Sequence, residues 1–323
     1  MKGIFSTAIG SFPHLEPKKA IEVSLLLDIP VWPQLPKRSF LENMYNQFSK
    51  WLPSVKLDYE NKNIYFDTSD IEYELAVFYE KTLSCDLEAF SFSPDYASGF
   101  FEFLDTKPKK EYVKGQITGP ISFGLSVCDQ NKKPVIYHDE LFSAIKIGLL
   151  QNALWQVNKL KEFGKPVIFI DEPYLAGFGS SVIPVSGEDV VSWLNEIILP
   201  LKKKCLVGIH CCGNTDWDII LKTKLDILSF DAYNYFHNLF LYKQILLSFI
   251  KSEGILAVGI VPSSEEIIDV DENMLFDKLI KEMEGIPCDC FFITPSCGLG
   301  SLNEELTEMV IKKLISLTKK CQG

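Results

Sequence analysis

From about residue 110 onward the chain alternates short apolar runs with longer helical patterns, and this alternation limits the fold more than any other feature. Tyr112 to Ile117 reads as a strand, Glu140 to Phe163 as a helix with Leu and Ile at 3.6-residue spacing, and Val167 to Ile170 as a strand. Gly187 to Ile198 reads as a helix, Cys205 to Ile209 as a strand, Trp217 to Leu221 as a helix and Ile227 to Phe230 as a strand. Leu239 to Ile250, Ile255 to Ile260, Met274 to Met283, Cys290 to Ile293 and Glu304 to Thr318 continue the series. Continuous apolar strands joined by helices imply parallel strands buried on both faces, connected by right-handed crossovers.

The first hundred residues are less regular. Gly3 to Ile9 reads as a first strand and Pro17 to Leu27 as a first helix, with proline near its start where the missing N–H costs little. Ile29 to Leu35 carries Pro30 and Pro33, with Pro36 just beyond, and is expected to be a short strand entering a long loop. An elaborated insertion, rich in Asn, Asp, Tyr and Lys, is expected over about residues 36–75. The units approach eight, which favours a (β/α)₈ TIM barrel of 323 residues read as one catalytic unit. The alternative, a doubly wound sheet, lacks the G-x-G-x-x-G that would follow its first strand.

The formal charge of −11 argues against nucleic acid as a partner, since phosphate binding needs clustered Lys and Arg. Nine cysteines, an odd number including the adjacent Cys211 and Cys212, fit reduced thiols better than a disulfide framework. No signal-peptide pattern and no membrane-length apolar run is present, so a cytoplasmic location off the membrane is expected.

In barrels of this kind the reactive groups lie at the C-terminal ends of the strands. Those positions here hold Ile9-Gly10-Ser11, Thr118-Gly119-Pro120, Asp171-Glu172-Pro173, His210-x-Cys212, Asp231 and Cys297-Gly298. His210 and Cys212 lie close together, while Cys297 follows far later, a separation that only an already folded scaffold can bridge. Structural zinc modules usually bring their ligands in tight pairs, so this spacing points to a catalytic ion with an open position. For any single cysteine the alternative is an ordinary buried thiol, and for Asp171-Glu172 a helix-capping pair.

Together, Thr7-Ala-Ile-Gly-Ser-Phe-Pro13, Gly115-Gln-Ile-Thr-Gly-Pro120, Asp171-Glu-Pro173, His210-Cys-Cys-Gly213 and Ser296-Cys-Gly-Leu299 resemble the catalytic barrel of cobalamin-independent methionine synthase. The wider superfamily includes uroporphyrinogen decarboxylase-like enzymes and methylcobamide:thiol methyltransferases. The resemblance implies Zn²⁺ held by His210, Cys212, Asp231 and Cys297, where Asp231 replaces the family's more frequent Glu, and Cys211 points away. It also implies methyl transfer to homocysteine or a similar thiol. Asp171, the expected catalytic carboxylate, would take the ammonium group with Glu172 beside it in the substrate site, and Ile9, Gly10 and Ser11 would take the carboxylate. Zinc carrying two thiolates lowers the pKa of a bound thiol while leaving its sulfur electron-rich.

The family's histidine after the strand corresponding to Ala257 to Val261 is absent, because the chain continues Pro262-Ser-Ser-Glu265. With room for one barrel only, this favours a methylated corrinoid protein as donor over a folate. A porphyrinogen decarboxylase is disfavoured because its many carboxylates need guanidinium clamps, and Arg38 is the lone arginine, expected as a solvated loop charge. Coenzyme M as acceptor would leave Asp171 without an ammonium partner. A noncatalytic zinc-binding barrel is the reading outside enzymology.

Overall fold

The computed structural model describes residues 2–179 and 185–323. Ten strands form: β1 (Gly3–Ser6), β2 (Val55–Asp58), β3 (Asn63–Phe66), β4 (Tyr112–Thr118), β5 (Cys128–Asp129), β6 (Lys165–Asp171), β7 (Leu206–Cys211), β8 (Ile227–Phe230), β9 (Ile255–Val261) and β10 (Cys290–Pro295). Seven of them make a curled parallel sheet in the order β1-β10-β9-β8-β7-β6-β4. Helices cover its outer face, among them Asp139–Leu160, Gly187–Leu201, Glu272–Met283 and Glu304–Gln322. Among the described residues no helix is long and apolar enough to cross a membrane.

The expectation of eight strands meets seven, and the reason is proline. Residues 29–34 lie between β1 and β4 and bond to both. Ile29 N–H donates to the Ser6 carbonyl at 3.0 Å, Trp32 N–H to Lys114 at 3.2 Å and Gln34 N–H to Gly10 at 2.9 Å. Pro30 and Pro33 have no N–H to donate, so the segment makes isolated bridges instead of a continuous ladder. Ser24 fastens it from the first helix, which ends at Ser24 and not at Leu27: its hydroxyl donates to the Val31 carbonyl and accepts from the Val31 N–H.

Other boundaries move for local reasons. The expected helix Leu239 to Ile250 is two helices, Ala232–Phe240 and Lys243–Lys251, the first started by Asp231 as its cap. The first strand pairs only through Ser6, because residues 7–11 leave the ladder for a loop. The elaboration after residue 36 contains the β2–β3 hairpin paired to β5, and continues past residue 75 through the helices Ile71–Leu83 and Ser98–Thr106. Aromatic edge contacts fix this region: Trp32 meets Phe100 at 5.5 Å, and Phe92 meets Phe48 at 5.4 Å and Trp155 at 5.7 Å. Arg38 is not a free loop charge. Its Nη1 donates to Glu42 Oε1 at 2.6 Å, neutralising a carboxylate with no exposed surface.

The sheet interior changes character along the strands. Side chains alternate across a strand, so one parity of each strand faces inward. Near the strand starts this parity supplies Phe5, Tyr112, Val167, Phe169, Ile227, Ile255 and Phe292, which pack as a separate apolar cluster. Near the strand ends the same parity supplies Gln116, Thr118, Asp171, His210, Ser229 and Thr294. The inner cluster therefore seals one end, and polar groups collect at the other.

Candidate active site

Adjacent strands bring two of the expected residues, Asp171 and His210, to one height. The register pairs Thr118 with Asp171, Asp171 with His210, and His210 with Ser229, so four neighbouring strands present polar side chains at the same height. Toward the strand ends, five buried polar atoms on this inward face have no hydrogen-bond partner among the described residues: Gln116 Oε1, Thr118 Oγ1, Asp171 Oδ1, His210 Nε2 and Thr294 Oγ1. Buried polar groups are normally paired, so a cluster of unpaired ones needs an explanation.

His210 is 3% exposed, and its Nδ1 lies 3.0 Å from Ser229 Oγ. Burial and then the Lys114 charge lower its pKa to about 3, so the imidazole is neutral and Nε2 is free to act as an acceptor or metal ligand. Cys211 has the opposite parity. It is fully buried among the outer core, its thiol is held near the Gly213 carbonyl at 3.6 Å, and burial pushes its pKa up to about 12. Cys212, just past the strand, meets Cys297 across the mouth. The hydrogen bond from Cys297 lowers the Cys212 thiol, while the same bond and then burial raise Cys297. The contact with Cys297 thus favours the Cys212 thiolate, the form that a soft metal or an electrophile requires.

The carboxylates divide by role. Glu172 has no exposed surface and accepts from Ile121 N–H at 3.0 Å, Ser122 N–H at 2.8 Å and Ser122 Oγ at 2.5 Å. It clamps the start of the helix Pro120–Ser126 and lies so close under Gly119 that a Cβ there would stand 2.1 Å from its Cδ. Expected in the substrate site, its oxygens are instead committed to a helix N-terminus. Asp171 keeps some exposure at the mouth, and its Oδ1 is buried and unpaired. Burial raises its pKa, opposed by Lys114. Asp231 is 5% exposed and caps the helix Ala232–Phe240, accepting from Asn234 N at 2.9 Å and from Asn234 Nδ2 at 2.8 Å.

On the β1 side, Ile9, Gly10 and Ser11 run beside the Cys297 loop. Ser11 Oγ accepts from Gly300 N–H at 3.2 Å, and Leu299 N–H donates to the Ser11 carbonyl at 2.9 Å. A Cβ on Gly298 would lie 2.2 Å from Ser11 Oγ, so only glycine allows this approach. Where the resemblance expected a histidine and the chain has Pro262-Ser263, Ser263 N–H donates to Ser296 Oγ at 3.0 Å, the residue before Cys297. Thr118 was named at a strand end and Gln116 within a motif, but Lys114, Ser229 and Thr294 were not singled out from sequence. Counting back by twos from Asp171 and His210, and across the register, would have found them.

The donor types fit a thiolate-rich zinc ion: an imidazole Nε2 without a partner among the described residues, on a ring held by its other nitrogen, and a thiol pair in which Cys297 lowers the Cys212 pKa. As placed, no three His, Cys, Asp or Glu side chains among the described residues converge on a common point that would hold a metal.

Comparison with known proteins is consistent with this geometry. No protein-family model matches the chain. A Bacillus velezensis protein named 5-methyltetrahydropteroyltriglutamate–homocysteine methyltransferase is 22% identical over 351 aligned positions, covering 98% of this chain and 42% of that protein. A protein of the same name from Blochmanniella floridana is 26% identical over 230 positions, covering 66% of this chain and 27% of that one. The chain therefore spans less than half the length of these curated relatives. A solved structure from Listeria monocytogenes, provisionally described as a vitamin-B12 independent methionine synthase, shares the fold with a TM-score of 0.58 at 14% identity. It covers 95% of this chain and 86% of that one.

These findings overturn one expectation. The corrinoid protein expected as methyl donor is not supported, since the relatives carry a folate in their names. The absent histidine concerns how a proton is handled and says nothing about which carrier holds the methyl group, so it could not carry that inference.

Proposed function

We propose that the chain is a methionine synthase-like S-methyltransferase on a (β/α)₈-type barrel, the eighth position being held by residues 29–34, and that it methylates the thiol of homocysteine from a methyltetrahydrofolate-type donor. The observation that carries this reading is the Cys212–Cys297 thiol pair, just past the strand end that holds His210 with its Nε2 unpaired, on a face of buried polar atoms that nothing among the described residues satisfies. His210, Cys212 and Cys297 would hold zinc, with Asp231 as the carboxylate if its cap bonds to Asn234 are shared or released. Zinc bound there supplies thiol activation, giving a substrate thiolate at neutral pH.

The remaining steps fall to the protein. Asp171, at the same height as His210 and with Oδ1 unpaired, receives the substrate ammonium. The N–H groups of Gly10 and Ser11 have no acceptor among the described residues and receive the substrate carboxylate. The two subsites orient the amino acid so that its sulfur reaches the thiol pair and its methyl-accepting lone pair faces the mouth. Glu172 keeps the Thr118-Gly119 edge in place and takes no part in proton transfer.

Incubation of the purified protein with Zn²⁺, L-homocysteine and methyltetrahydrofolate carrying a polyglutamate tail tests this reading. Zinc-dependent formation of methionine is expected. Absence of turnover in a protein that binds zinc and homocysteine would remove the proposed donor, and failure to bind homocysteine would remove the reading itself.

A further inference from the structure

Lys114 lies on the inward parity of β4 with no exposed surface. Its ammonium donates to the Ile9 carbonyl and stands 4.1 Å from the centroid of the Phe169 ring. A buried ammonium is costly unless nearby charge and donors compensate it. The charge of Asp171, two residues beyond Phe169 on the same face of β6, opposes the burial that lowers the Lys114 pKa to about 7. The ring against the ammonium and the carboxylate that acts on it at longer range therefore come from one strand.

The consequence reaches the loop after β1. With the Ile9 carbonyl turned toward Lys114, the planar trans peptide turns the Gly10 N–H to the opposite side. The Gly10 carbonyl is held by Gln34 N–H at 2.9 Å, which fixes the next peptide plane and the Ser11 N–H in the same way. These amides are the proposed carboxylate donors.

We infer that Lys114 is the positioning residue of the amino-acid subsite, a buried side chain that fixes the Ile9–Gly10 peptide through the Ile9 carbonyl and packs on Phe169 of the strand that carries Asp171. The inference rests on the homocysteine reading above. Lys114 touches neither the thiol nor the metal ligands' reacting atoms, and acts through Ile9 and Asp171. A neutral side chain of similar length would free the Ile9 carbonyl, so the carboxylate end of an α-amino acid would lose its fixed donors, and the charge facing Asp171 at the ammonium end would be removed with it.

The test is Lys114→Met, with folding checked by thermal unfolding and gel filtration. The KM for L-homocysteine is expected to rise at least about tenfold with kcat changed much less, as when uniform binding is removed. The inhibition constant of 1-propanethiol, which has the thiol but no amino-acid end, should stay unchanged. Calorimetric titration of the zinc-free protein with L-methionine should show the same loss of affinity. Equal losses for homocysteine and propanethiol, or a fall in kcat at constant KM, would overturn the inference. If the Met variant does not fold, Lys114→Leu, which likewise removes the donor to Ile9, is read by the same criteria. A wild-type protein that does not bind homocysteine would overturn the underlying reading instead.

Discussion

The two ends of the sheet interior use the same strands and several of the same residue types to opposite effect. At the strand starts, Phe5, Tyr112, Phe169, Ile227 and Phe292 close a dry cluster in which Cys290 is an inert thiol, its pKa pushed up to about 11 by burial. At the strand ends, Asp171, His210, Ser229 and Thr294 occupy equivalent inward positions, and Cys212 is lowered by its neighbour Cys297. A cysteine's chemistry is thus set by its layer. One end supplies the stability that lets the other keep unpaired polar atoms.

Substitutions at the two ends should separate these roles. Cys212→Ser or Cys297→Ser should lower methyl transfer by about 10³-fold or more, roughly 4 kcal/mol of transition-state stabilisation, with bound zinc falling in parallel and the melting temperature little changed. A folded variant that retains activity would place the chemistry elsewhere. At the sealed end, Phe292→Ala should cost about 3 kcal/mol or more in denaturant unfolding, since it opens a cavity in a fully buried cluster.

Glu172 lies between the two behaviours, at the functional end but with a structural task. Glu172→Ala leaves the N–H groups of Ile121 and Ser122 without their acceptor and should cost about 2 kcal/mol. Burial raises its carboxyl from 4.5 to about 7, so the native state binds the proton more tightly than the unfolded chain. Its contribution is complete below pH 4.5 and is lost as pH rises through about 7, up to roughly 3 kcal/mol. Glu172→Gln should flatten that slope in unfolding measured from pH 4.5 to 8; an unchanged slope would assign it to other groups. The smallest effect is expected from Cys290→Ala, about 1 kcal/mol in stability with unaltered turnover.

The same contrast explains what the sequence disclosed. From Tyr112 onward the strands were legible, because long apolar runs fully buried on both sides leave few alternatives, and Ile227–Phe230 falls where the pattern puts it. The segment 29–34 was harder, since its prolines break the ladder that makes a strand recognisable, and its partners Ser6 and Lys114 are remote in sequence. The aromatic packing of the region after residue 36 depends on Trp155, from a helix far along the chain, and has no local signature. His210, Cys212 and Cys297 stood out by residue type. Lys114 did not declare its role, because a lysine inside an apolar run looks exposed; for Glu172 the sequence left a substrate contact and a helix cap both open, and its bonds to the start of the helix Pro120–Ser126 are made by residues remote in sequence.

The central claim is that Cys212, Cys297 and His210 form a thiolate zinc centre whose open position receives a substrate thiol. X-ray absorption at the zinc edge of the metal-loaded protein, with and without L-homocysteine, tests it most directly. The account predicts two sulfur ligands and at least one imidazole at rest, and a third sulfur replacing an oxygen when homocysteine is added. Zinc that does not bind, or a ligand shell that homocysteine leaves unaltered, would contradict it.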